Sequence, residues 1–213
     1  MTTETMNVHQ ALAELKMMDK RIQAATREPE WAITNKHSNT KINGVTVGEW
    51  CEEVKSKYQK VLDLIRRRDA IKRAVVNSNA VTKITVAGKE YTVAEAIDRK
   101  NSGVEYLKNL VLRLNHDYVM AKQNADRANG SELERRADEH VRIMFGNSDM
   151  KGSSAEAVRV RNEFIAAQTT DIIDPIGVLG EIEKLNEEVN SFLMNVDAAL
   201  SVSNALTVIT VEY

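Results

Sequence analysis

The chain has little of what marks several common protein classes. A single cysteine, Cys51, in 213 residues excludes an internal disulfide framework and fits a reducing compartment. Two prolines and nine glycines are too few for a fibrous or linker-like chain and leave few obligatory breaks. Neither sign of charge dominates: Lys+Arg is 29 against Asp+Glu 31, a net of −2. Bulk charge therefore points neither to nucleic acid nor to an anionic membrane surface. No run approaches the roughly 18 apolar residues of a membrane span. The opening Met1-Thr2-Thr3-Glu4-Thr5-Met6 has neither the basic nor the apolar region of a secretory signal. What is present is 43% hydrophobic and 28% charged residues, a globular and helix-prone mixture long enough to bury a core. These features predict a cytoplasmic protein with no nucleic-acid and no membrane partner.

Helical periodicity begins at about Asn7 and runs to Arg27, with Val8, Leu12, Leu15, Ile22 and Ala25 on one stripe and Met18 beside it, until Pro29 ends it. Thr40 to Val47 then reads as a hairpin, because Asn43-Gly44 suits the two positive-φ positions of a type I′ turn. Thr46-Val47-Gly48-Glu49 has the spacing of a capping box and opens a helix expected to reach about Val76, with Trp50, Val54, Val61 and Ile65 as its apolar stripe. The same order recurs. Thr82 to Val86 is strand-like, Ala87-Gly88-Lys89 turns, and Thr92-Val93-Ala94-Glu95 is a second capping box. The match has two readings: a duplicated helix–hairpin–helix unit at about 7–76 and 77–128, or two hairpins that share the chemistry of entering a helix.

From Val93 a helix is expected to about Ala128, weakened locally at Gly103. Its residues Ile97, Val104, Leu107, Val111, Leu114, Tyr118, Ala121 and Ala125 follow the three-four alternation of a coiled-coil seam. Ser131-Glu132-Leu133-Glu134 reads as a third capping box for a helix to about Phe145, with Gly146 as its stop. Residues 147–152 read as loop, and Ser153-Ser154 starts a helix to about Thr169. Asp174-Pro175 predicts an N-cap with proline at the first helical position, opening a last heptad-like helix through Leu200. The tail from Leu206 to Tyr213 is strand in character and needs a partner, for which the two hairpins are the available choice. The fold class expected is mainly α: a single elongated domain, an antiparallel bundle or coiled coil with two short hairpins and a C-terminal strand forming a small sheet at one end, and a helical C-terminal part from residue 129.

Arg67-Arg68-Asp69 after a long helix, Asn77-Ser78-Asn79, a lysine-bearing strand, a glycine turn and Thr92-Val93-Ala94-Glu95-Ala96-Ile97-Asp98-Arg99 together resemble the septicolysin-like group of small bacterial proteins. The resemblance covers Val61 to Leu114, and more faintly Phe192 to Asn204. It implies a helical fold with a hairpin introduced by an asparagine-rich turn, and it implies no activity. The region from Asn115 to Asp174 departs from the group.

Chemistry is sparse. His9, His37, His116 and His140 fall in no zinc-binding spacing, and Asp138-Glu139-His140 point about 100° apart on a helix, so no metal and no cofactor is expected. Cys51 sits at a helix start, where a lowered thiol pKa and an inert packed thiol are the two readings. No nucleophile elbow, Walker loop or dinucleotide fingerprint occurs.

The densest charge is Arg66-Arg67-Arg68, followed by Asn77 and Asn79, with Lys83 and Lys89 on the second hairpin. These seven residues form a candidate anion site, because guanidinium groups grip phosphate and the helix starts at Val47 and Val93 offer N–H groups. The alternative is ion pairing to acidic helices such as Glu181 to Glu188.

The reading of function is a non-enzymatic, homo-oligomeric binding or assembly protein, a structural or accessory component of a bacterium or phage that holds a protein partner. One rival is capture of an anionic small molecule, such as a nucleotide signal, in pockets between subunits. A second is a hydrolase without a recognisable motif.

Overall fold

The computed structural model describes residues 2–146 and 155–213. The fold is mainly α with small antiparallel sheets. Strand β1 (Thr3–Asn7) leads into helix α1 (Val8–Arg27), then β2 (Lys41–Ile42), β3 (Val45–Thr46) and α2 (Val47–Val81). Strands β4 (Lys83–Val86) and β5 (Lys89–Thr92) precede α3 (Val93–Asp98) and α4 (Val104–Ala128). Helices α5 (Ser131–Phe145), α6 (Ala155–Gln168) and α7 (Val178–Leu206) and strand β6 (Val208–Glu212) complete the described residues. The expected loop at 147–152 and helix start at Ser153-Ser154 lie outside them.

Two compact units emerge. One comprises the chain to Ser102 with Ser191–Tyr213; the other is Gly103–Asn190. In the first, α1 packs on α2 and buries Val8, Ala11, Leu15 and Met18 against Ile71 and Val75, with Met6, Ile209 and Val211 from β1 and β6. Of the expected stripe on α1, Val8 and Leu15 are buried and Ile22 and Ala25 half-buried; Ala11 and Met18 are also inside, while Leu12 is 40% exposed. Asn7 caps α1, its Oδ1 accepting from Gln10 N at 2.7 Å while Gln10 Oε1 accepts from Asn7 N at 3.1 Å. This is a capping box built from amides.

Strand β6 finds its partner in β1, antiparallel from Thr3↔Glu212 to Asn7↔Val208, and not in either hairpin. The sheets are three separate two-stranded ones. Strand β1 was hidden in the sequence because five mostly polar residues alternate too briefly to register as a strand.

Both hairpins form about two-residue turns with positive φ, Asn43 and Gly44 in one, Ala87 and Gly88 in the other. The second turn is therefore tighter than expected, with Lys89 already in strand. Helix α2 runs five residues past Val76, so Asn77, Ser78 and Asn79 are helical and no asparagine-rich turn introduces the second hairpin. Helical packing at Val75 and the Thr82 N to Ser78 O bond of 2.9 Å override the weak propensity of asparagine and serine.

The helix expected from Val93 to Ala128 is interrupted by a π-helical turn at Arg99–Gly103. Gly103 lowers the cost of the local change in winding. In the second unit, Val104 and Ala125 on α4 are buried, and the intervening seam residues from Leu107 to Ala121 are half-buried, as the heptad spacing predicts, whereas Ile97, expected to begin the seam, lies before the π-helical turn and is exposed. Helices α5 and α6 pack through Leu133, Ala137, Val141 and Ala157, and His140 stacks on Phe164 at 4.7 Å. Gly146 ends α5 with φ +77°, as expected.

Two expected caps differ. Gly130 and not Ser131 precedes α5, and no side chain caps it. Asp174 does cap, its carboxylate accepting from Gly177 N at 2.9 Å and Val178 N at 2.8 Å, but the helix starts only at Val178. Pro175 precedes the helix instead of opening it.

Candidate functional site

Helix α2 carries the arginine triplet past α1 and the terminal sheet, and two of the three guanidinium groups, those of Arg67 and Arg68, meet carboxylates there. Arg67 Nε donates to Glu14 Oε1 at 2.7 Å and Arg67 Nη2 pairs with Glu4 Oε2 at 2.9 Å. Its guanidinium also lies 4.7 Å from the centre of the Tyr213 ring, and it donates to the Tyr213 hydroxyl. Hydrogen bonding to Glu14, then to Glu4, raises the Arg67 pKa against the opposing effect of partial burial. One side chain thus ties together β1, α1, α2 and the residue after β6.

Arg68 Nε pairs with Asp19 at 3.0 Å and its Nη1 with Asp69 at 3.1 Å; the bond to Asp19, then that to Asp69, raises its pKa. Arg66 reaches only Asp63, at 3.4 Å, with both side chains well exposed. Such a pair is worth little, so Arg66 is the most available of the three. The carboxylate partners of the triplet are Glu4, Glu14, Asp19, Asp63 and Asp69, in place of the expected acidic stretch from Glu181 to Glu188.

The expected convergence with the second hairpin does not occur. Some 20 Å of helix separates Arg68 from Val81, at about 1.5 Å per residue. Arg66 and Arg67 line an open groove of about 730 Å³ with Lys60, Tyr213, Ser56 and Gln59 among their neighbours. Lys83 lines a different groove, about 580 Å³, between β4 and the C-terminal part of α7. It pairs with Glu90 at 2.8 Å, which raises its pKa. Lys89 stands opposite Val86 across the second hairpin. Asn77 is exposed and Asn79 half-buried in the last turns of α2, and neither lines these grooves.

The helix starts are also occupied. Val47 N donates to Thr40 O at 3.2 Å and Val93 N to Thr82 O at 2.9 Å. Glu49 and Glu95 close their capping boxes, accepting from the Thr46 and Thr92 amides at 2.9 and 2.7 Å. The backbone bond from Thr46, then its hydroxyl, lowers the Glu49 pKa; Thr92 does the same to Glu95. An anion approaching either start would meet a carboxylate that already holds the position.

Two further features escaped the sequence reading. Trp31 stands edge-on to Tyr58 with ring centres 6.2 Å apart, and the pair lines an apolar cleft of about 490 Å³ with Val54 and Val61. Arg99, at the π-helical turn, lies 5.2 Å from the centre of the Phe192 ring and 5.8 Å from that of Tyr91. A run of aromatic residues twenty or more positions apart carries no periodic signal, so only folding brings them together. Among the described residues no group of three or more His, Cys, Asp or Glu side chains is placed to hold a metal ion, and no helix is long and apolar enough to cross a membrane. Comparison with protein-family models, curated proteins and solved structures gives no match to this chain.

Proposed function

We propose that the protein is a non-enzymatic, self-associating binding or assembly protein, a structural or accessory component of a bacterium or phage. The observation that carries this reading is the large apolar side chains that stay on the surface: Met194 is 82% exposed, Leu206 75%, Tyr106 73% and Leu112 67%. Such side chains favour covering by protein. Size-exclusion chromatography with light scattering tests the reading. A mass that is a multiple of 23.9 kDa is expected; a monomer stable across concentration contradicts it.

A second reading, capture of an anionic small molecule, rests on Lys60, Arg66 and Arg67 lining one groove. Mass spectrometry of solutes released on denaturation tests it, as does a thermal shift with nucleotides that Arg66→Ala abolishes. The cytoplasmic location rests on the single cysteine, and kinship with the septicolysin-like group rests on the sequence motifs alone.

A further inference from the structure

We infer that Asn43 is a site of spontaneous covalent modification, where the chain converts its own asparagine to aspartate and isoaspartate, while the fold protects the other asparagine–glycine pair, Asn129-Gly130. The chemistry belongs to the dipeptide. The Gly44 nitrogen loses its proton to solvent and attacks Cγ of the Asn43 amide. A new C–N bond closes an imide ring, and the side-chain nitrogen takes up a proton and leaves as ammonia. Water then opens the ring at either carbonyl. Opening at Cγ leaves aspartate; opening at the main-chain carbonyl leaves isoaspartate, whose backbone runs through the former side chain. Glycine in the following position favours ring closure, because no Cβ obstructs its nitrogen and its backbone is free to turn.

The two pairs sit in opposite settings. Asn43 is exposed at φ +47°, and among the described residues its side chain has no hydrogen-bond partner. The Gly44 nitrogen stands outside the β2–β3 ladder, and nothing lies within 4 Å of where a Cβ on Gly44 would sit. Ring closure needs the turn to open until that nitrogen meets Cγ. Only Lys41↔Thr46 and Ile42↔Val45 pair across the hairpin, and so short a two-stranded ladder opens at little cost. Asn129 is held at both ends of its amide: Nδ2 donates to Thr170 O and Oδ1 accepts from Thr170 N, each at 2.8 Å. Its own N–H donates to Ala125 O at 2.8 Å. Gly130 is half-buried, with the carbonyl oxygens of Asp126 and Arg127 3.4 and 3.5 Å from where a Cβ would sit. Turning Cγ of Asn129 onto the Gly130 nitrogen would break the Thr170 clamp and loosen the junction of α4 and α5. At Asn43 the isoaspartyl product lengthens the main chain of a tight turn. Ile42↔Val45 then loses its register, and the Thr46 cap that opens α2 loosens with it.

The test is a time course of the full native chain in mildly alkaline buffer, digested and read by mass spectrometry, with a parallel course in urea. Conversion shows as the mass gained when the amide becomes a carboxyl, and chromatography separates the two products. In urea both asparagines are expected to convert at similar rates, since glycine follows each. In the native chain Asn43 is expected to convert about tenfold or more faster than Asn129. If Asn43 converts in urea but not in the native chain, the modification site falls. Equal native rates overturn the protection of Asn129, and no conversion in urea overturns the chemistry itself. Thr170→Pro removes the donor to Asn129 Oδ1 and is expected to speed native conversion there; an unchanged rate overturns the clamp as its cause. The isolated isoaspartyl protein is expected to exchange amide hydrogens faster in the first turn of α2 and at an unchanged rate in α7. Exchange in α2 equal to that of the unmodified chain overturns the effect on the helix entry.

Discussion

The two hairpins that feed α2 and α3 use the same local chemistry in two different settings. Lys41, Ile42 and Thr46 correspond in register to Lys83, Ile84 and Thr92, and each turn places two residues at positive φ. Each helix entry is a threonine–glutamate capping box of nearly the same dimensions. Even the inward isoleucines match, Ile42 and Ile84 both being 8% exposed. What differs is what surrounds them. The second hairpin has two more residue pairs, which bring in Val86 at 1% exposure, and its helix opens on Val93 at 2%. The first helix opens on Val47 at 36%. Capping and turn residues thus specify where a helix begins and how the chain enters it. Burial then decides how strongly the rest of the unit depends on that entry.

A charge at the first helical residue separates the two settings most widely. Val93→Asp buries a carboxylate among apolar neighbours and is expected to cost about 4 kcal/mol or more by chemical denaturation. Val47→Asp sits in water at the positive end of a helix, and its effect is expected to stay within about 0.5 kcal/mol. Equal losses at both sites would mean that the first entry is as buried as the second, and the contrast would fail.

The cap comes next. Thr92→Ala is expected to lower global stability by about 1 kcal/mol. The same change at Thr46 is expected to appear chiefly as faster hydrogen exchange in the first turn of α2, because that end opens locally at little global cost.

The turns sharpen the comparison from the other side. Ala87 holds φ +49° where the first hairpin has Asn43 at +47°. Asparagine tolerates that region better than alanine, so Ala87→Asn is expected to stabilise by about 0.5 kcal/mol or more. Gly44→Ala and Gly88→Ala are expected to destabilise alike, by about 1 kcal/mol. Both need positive φ, and neither added Cβ would meet another atom within 4 Å. Unequal losses would show that the turns differ by more than their surroundings.

The smallest effect is on pH dependence. Glu49 and Glu95 both titrate below their ordinary 4.5 in the folded protein. A depressed carboxyl pKa stabilises the fold above the unfolded value, and that contribution disappears as pH falls from about 4.5 through the folded value. Acid unfolding of Glu95→Gln should therefore be less steep in that window than the wild type, and Glu49→Gln should change less.

The hairpins and their caps were legible because turn and cap signals are local: Asn43-Gly44, Ala87-Gly88 and the two Thr-x-x-Glu frames need nothing distant. The α4 seam was legible because its periodicity spans three heptads. What the sequence hid depends on distant partners. Strand β1 exists because β6 is there to pair with it. Asn77 and Asn79 remain helical because packing at Val75 outweighs their preference for turns. Ser131 fails as a cap because Gly130 takes the position, although the motif is complete. The arginine triplet stood out as charge, but its partners Glu4, Glu14 and Asp19 lie some fifty residues or more away. Nothing local marked Arg67 as the clasp between β1, α1 and the residue after β6. The Trp31–Tyr58 cleft and the groove beside α7 are likewise products of folding.

Sedimentation velocity of the wild-type chain across a hundredfold range of concentration tests most directly that the exposed apolar side chains are there to be covered. Association to a multiple of 23.9 kDa is the expected result; a single unchanging 23.9 kDa species would contradict it.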